Sequence, residues 1–141
     1  MLSALRSEMQ LILSKLEKQK TWLSQLRNEL GINTYNRFSN IRFPRAIYDN
    51  HLPVIFSSMD SEDLRLLHLG YSYLSIIDDT LGDFDSIVDQ SKRSYVEYQR
   101  YAGAQMRVDE LQRVGQLARD IFEHHLTGTK LQFQHSDTPL A

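Results

Sequence analysis

Between Leu2 and Leu30 apolar side chains return every seven residues, and this recurrence restricts the chain more than any other feature. Leu2, Met9, Leu16, Leu23 and Leu30 form one row, and Leu5, Ile12, Gln19 and Leu26 form a second, offset by three. Eight of the nine positions are apolar, with Gln19 as the polar break. A heptad sustained over four turns of the repeat commits the segment to a helix with a buried seam. Leu11, Leu13 and Trp22 widen the stripe beyond a two-stranded seam, so more than one neighbour is expected. In a parallel dimer Lys15 would take position g and Lys20 the following e, placing like charges across the interface. The expected pairing is therefore antiparallel, with the long C-terminal helix of the same chain. A homodimer through the surplus apolar residues is the alternative. Gly31 is the natural stop.

The remainder reads as further helix. Only six Gly and three Pro punctuate 141 residues, too few for an all-β fold with many tight turns. Residues 32–43 carry no period and read as a loop anchored by Tyr35, Phe38 and Phe43. Pro44 suits the first position of a short helix through about Asn50, and Pro53 is expected to interrupt soon after. Asp60 is a candidate N-cap for a helix from Ser61 to about Leu81, with Glu62 and Asp63 in its first turn. Leu64, Leu67, Tyr71 and Leu74 form one stripe of that helix, and Gly70 within it implies a close neighbour. Gly82 is read as its stop and Asp83 as the next cap. No stop then occurs from Phe84 to Gly128, where Gly103 and Gly115 mark kinks or close crossings. The expected fold is an all-α, elongated helical bundle with a long N-terminal heptad helix and a long C-terminal helix. It forms one domain over residues 1–128, and 129–141 is expected to be a disordered tail.

Charge and composition narrow the function. Sixteen basic and eighteen acidic residues give a net charge of −2, which argues against a nucleic-acid partner as the default. The charges are segregated: +4 over residues 1–58, −7 over 59–91 and +1 over 92–141. The absence of cysteine excludes a disulfide framework, a thiolate metal site and a cysteine nucleophile. No apolar run is long enough to span a bilayer, and the first residues lack the plan of a secretory signal. A cytoplasmic setting is expected, or one as the soluble part of a membrane-tethered protein.

Motifs that carry chemistry are sparse. The run Asp78-Asp79-Thr80-Leu81-Gly82-Asp83-Phe84-Asp85 offers oxygen ligands of the kind Mg²⁺ or Ca²⁺ prefers. It lacks calcium-loop spacing, and its plainer reading is a helix end, a turn and a helix start. A small metal-dependent enzyme using Asp78, Asp79 and Asp83 is thus one alternative function. A nucleic-acid-associated protein using Lys92, Arg93, Arg100 and Arg107 is another. No two of His51, His68, His124, His125 and His135 have the i, i+4 spacing of a helical zinc site. His68 is expected to be an interior histidine, and His124 and His125 to complement a helix C-terminus when protonated. There is no Glu-x-x-His, no Gly-x-Ser-x-Gly and no Gly-rich phosphate loop. No catalytic residue, cofactor or metal ligand is assigned. Tyr71, Tyr73, Tyr95, Tyr98 and Tyr101 suit either core packing or a partner surface. The residues offered for interaction are Leu11, Leu13, Trp22, Tyr95, Tyr98 and Tyr101, and the expected partner is another protein or a second copy.

The stretch Phe43-Pro44-Arg45-Ala46-Ile47-Tyr48-Asp49-Asn50-His51-Leu52-Pro53, followed by Asp60-Ser61-Glu62-Asp63-Leu64 and Gly70-Tyr71, resembles a block in uncharacterised bacterial all-α domains. Many of those domains follow an N-terminal membrane helix. The resemblance covers about 40 residues. It implies the same order of helices and a membrane-proximal origin, with no activity to carry over. Together these readings point to a non-enzymatic helical interaction, sensor or assembly module of a bacterial protein.

Overall fold

The computed structural model describes residues 3–29, 42–93, 98–129 and 131, with helical backbone alone at 26–29, 83–93 and 98–105. Among the described residues every element is a helix: α1 (Ser3–Glu29), α2 (Ala46–Asn50), α3 (Leu52–Ser58), α4 (Ser61–Arg93) and α5 (Tyr98–Thr127). The three long helices would measure about 40, 50 and 45 Å at a rise of 1.5 Å per residue. They build an all-α bundle in which α5 packs against both α4 and α1.

The heptad of α1 becomes the core. Leu5, Met9, Ile12 and Leu16 are fully buried, and Leu23 and Gln19 nearly so. The relative directions follow from the side-chain contacts. Arg6 donates to the Leu126 carbonyl at 3.1 Å, and Glu17 lies 4.0 Å from Arg119, so α1 and α5 are antiparallel as expected. Tyr71 reaches Glu8, and Lys15 is attracted to Asp78. A step of seven residues on α1 thus matches a step of seven on α4, which makes these two helices parallel. Asp63 faces His124, and Gly70 faces Ile121 and Phe122, so α4 and α5 are antiparallel.

Gly70 allows that last contact. A Cβ there would sit 2.9 Å from Ile121 Cγ2 and 3.2 Å from the Phe122 ring. The α5 face opposite it is fully buried at Ala118, Ile121 and Phe122. Local rules also hold at two helix ends. Asp60 Oδ1 accepts the Asp63 N–H at 2.8 Å, the expected N-cap of α4. Gly128 adopts φ +74° and donates its N–H to the His124 carbonyl, closing α5 where the sequence predicts.

Several boundaries differ from the sequence reading. Gly82 does not stop a helix: α4 runs through it to Arg93. The position is exposed and a Cβ would meet nothing within 4 Å, so Gly82 costs only its propensity, about 1 kcal/mol, in a helix anchored just before it by buried Ile77 and Leu81. Asp83 is accordingly inside α4 rather than a cap, and the acidic run is helical, not a turn. The C-terminal helix expected from Phe84 is instead divided between α4 and α5, which begins at Tyr98. Pro44 precedes α2 rather than opening it. Pro53 does not interrupt; it sits in the first turn of α3, where its missing N–H has no helical acceptor to lose. The Gly31 stop and nearly all of the tail lie outside what is described, and Gly103 lies within the helical backbone of α5.

Candidate functional site

The densest polar arrangement gathers where α1, α2 and α4 meet. Glu8 is only 5% exposed, next to Met9 on the apolar face of α1. Its Oε1 accepts the Ile47 N–H at 2.9 Å, and its Oε2 accepts the Tyr48 N–H at 3.1 Å and the Tyr71 hydroxyl at 2.6 Å. Ile47 and Tyr48 are the second and third residues of α2, whose own N-cap position, Arg45, makes no side-chain cap. Glu8 therefore caps a different helix across the bundle, meeting free N–H groups and the positive end of their dipoles.

Aromatic contacts tie the junction together. The Tyr48 and Tyr71 rings stack at 4.0 Å, and Phe122 meets Tyr71 edge-on at 5.3 Å. The Tyr48 hydroxyl lies 2.8 Å from His68 Nδ1. His68 is exposed on α4, not interior as expected, although its Nδ1 is engaged by the Tyr48 hydroxyl. Arg45 makes two hydrogen bonds to Asp49, at 2.8 and 3.1 Å, and one to Ser75 at 2.8 Å. Burial raises the pKa of both tyrosines, and for Tyr71 the hydrogen bond to Glu8 adds to it. Neither phenol is prepared as a base or nucleophile. Hydrogen bonding to Asp49 raises the pKa of Arg45.

One heptad further along α1, Lys15 lies 4.6 Å above the Phe43 ring, with its Nζ buried and without a hydrogen-bond partner among the described residues. Burial lowers its pKa, and attraction to Asp78 works against that. Asp78 Oδ2 accepts the Phe43 N–H at 3.3 Å. Burial raises the Asp78 pKa, opposed by that hydrogen bond and by Lys15 and Arg42. Asp79 faces outward, 3.8 Å from Arg42. Asp78 and Asp79 thus point to different partners, the Asp83 side chain lies outside the description, and among the described residues no three acidic or histidine side chains converge on a metal position.

A second polar region lies at the C-terminal end of α5, on its α4 side. Ser58, Met59, Asp60 and Asp63 face His124, His125 and Gly128 across a cleft of about 400 Å³. His124 Nδ1 is 2.8 Å from the Thr129 carbonyl, and its Nε2 is 3.7 Å from Asp63. His125 is the unexpected one. Its Nε2 is buried without a hydrogen-bond partner among the described residues, and its pKa is pushed down to about 4, first by burial and then by His124. It stays neutral near pH 7 and does not serve as the cation at the helix end that its sequence position suggests.

The residues singled out for interaction divide. Leu11 is 64% exposed. Trp22 belongs to the core and Leu13 packs on it, so two of the three residues that widen the α1 stripe are spent inside the chain. Tyr71 and Tyr73 are core residues, while Tyr95 and the side chains of Tyr98 and Tyr101 lie outside the description, as do those of Lys92, Arg93 and Arg100. The sequence reading missed Glu8, Lys15 and α3. The available signal was that Glu8, Lys15 and Trp22 recur seven apart beside the seam. Comparison with protein families, curated proteins and solved structures finds no match.

Proposed function

We propose that this chain is a non-enzymatic helical interaction module of a bacterial assembly or sensor, acting through protein contacts close to a membrane. The observation that carries the reading is the presentation of α3. Ile55 is fully buried, whereas Val54 and Phe56 on either flank of it are 48% and 54% exposed. Phe56 offers an aromatic side chain to solvent beside a buried anchor, and aromatic residues are enriched at partner surfaces. The Glu8 junction supports the same reading, because its polar atoms are engaged with one another in holding α2, and through it α3, against α1 and α4. The likeness of residues 43–71 to bacterial all-α domains that follow membrane helices is the basis for the setting. The proposal is tested by a photo-crosslinking amino acid at Phe56 in the source cells, with Lys18 as an exposed polar control. A discrete protein adduct from position 56 and none from 18 is expected. Equal or absent crosslinking at the two positions, with the variants folded, overturns the reading.

A further inference from the structure

We propose that the cleft between the start of α4 and the end of α5 binds an alkylguanidinium, the chemistry of an arginine side chain. The cleft, of about 400 Å³, falls within the roughly 300–1,000 Å³ of small-ligand sites. Its lining supplies negative charge from two sources. Among the described residues, Asp63 keeps 45% of its side chain exposed and has only the weak 3.7 Å approach of His124, and Asp60 has one carboxylate oxygen committed to the cap and the other left over. The C-terminal end of the 30-residue α5 adds the negative pole of its dipole, shared with Arg6 on the Leu126 carbonyl, so the two carboxylates carry most of the attraction. Burial holds His125 neutral, so it contributes no opposing charge near pH 7. Half-buried Met59 gives an apolar surface for an alkyl stem.

The molecule already shows the chemistry in an intramolecular form. Arg6 of α1 seats its guanidinium on the Leu126 carbonyl at this same helix end, at 3.1 Å. The cleft offers a second guanidinium the neighbouring carboxylates, where paired N–H donors suit a carboxylate better than a single ammonium does.

The test is an NMR titration of the whole chain with three probes: N-acetylargininamide for a peptide-borne group, agmatine for a free base, and neutral N-acetylcitrullinamide as the isosteric control. Saturable shifts confined to residues 58–63 and 124–128 are expected with a guanidinium probe and not with citrulline. The tighter of the two guanidinium probes then identifies the source. Asp63→Asn should weaken binding about tenfold, the loss of one charge-assisted contact. Asp60→Asn, which retains a good cap, should weaken it too. Absence of saturation with both guanidinium probes, equal binding of citrulline, or unchanged affinity in both folded variants overturns the proposal. The crosslinking result at Phe56 bears on the other surface, so the two readings fail independently.

Discussion

Glu8 and His125 are both polar groups drawn into an apolar bundle, and the bundle treats them in opposite ways. Glu8 receives three hydrogen bonds from two other helices, and each of those donors would be left without it. His125 Nε2 receives none from the described residues. A buried polar atom with its bonds made contributes modestly to stability, whereas its removal strands the groups it served. An imidazole with no partner has a cheaper escape, because it can remain neutral. The first region is therefore fixed by its polar group. The second carries a latent charge that acid can introduce.

The contrast can be broken most severely at Glu8. Glu8→Ala strands the Tyr71 hydroxyl and two backbone N–H groups, and a loss of about 4 kcal/mol in urea unfolding is expected. Hydrogen exchange should show α2 opening ahead of the rest. A loss under about 1 kcal/mol would mean that water replaces the carboxylate at no great cost. The pH dependence addresses the second region. The folded pKa of His125 is about 4, against an unfolded value near 6.5, so the unfolded chain takes up the proton more readily. Stability is full above about pH 6.5 and falls as the pH drops towards 4, by up to roughly 3 kcal/mol from this one group. His125→Phe should flatten that part of the profile, and an unchanged acid slope in this variant would assign it to other groups.

Between the two regions lies the Gly70 contact, and Gly70→Ala probes it. The added methyl must displace Ile121 or the Phe122 ring, and Phe122 in turn rests on Tyr71. Overpacking of roughly 1–3 kcal/mol, offset by about 1 kcal/mol of helix propensity, leaves a net loss of about 1 kcal/mol in thermal or urea melts. Stabilisation instead would show that the aromatic pair can shift freely. The smallest expected effect is Asp60→Ala, about 1 kcal/mol or slightly less from the lost α4 cap, read in the same melts with the acid profile unchanged in shape.

What could be read from the sequence follows the range of the forces involved. The α1 seam, the Asp60 cap and the Gly128 stop are set within a few residues by period, hydrogen bonding and backbone freedom, and each stands where the sequence points. The antiparallel pairing of α1 with α5 was legible from the charges that disfavour a parallel dimer. Gly82 misled because a glycine stop is a bias of about 1 kcal/mol, which a helix anchored by buried Ile77 and Leu81 can absorb. Pro53 misled because proline breaks a helix interior but not a first turn. The Glu8 junction was hidden for a different reason. Its partners are 39, 40 and 63 residues away, and no local rule connects a glutamate on one helix to the bare N-terminus of another.

A repeating apolar row has no absolute zero along its length. Shifted by one heptad, α1 would bring leucine or methionine to much the same places and bury nearly the same area. The pairs Glu8 with Tyr71 and Lys15 with Asp78 remove that ambiguity. A slip of seven residues one way sets Glu8 beside Asp78, two carboxylates in a sheltered place. A slip the other way sets Lys15 against the Tyr71 hydroxyl and leaves Asp78 without its lysine. The charged pair and the tyrosine thus act as an index mark on a scale that Gln19 alone otherwise interrupts. Exchanging Glu8 and Lys15 would keep composition and net charge while setting a carboxylate against Asp78 in the present alignment and re-forming one favourable pair in either slip, and the resulting chain should populate more than one alignment of α1.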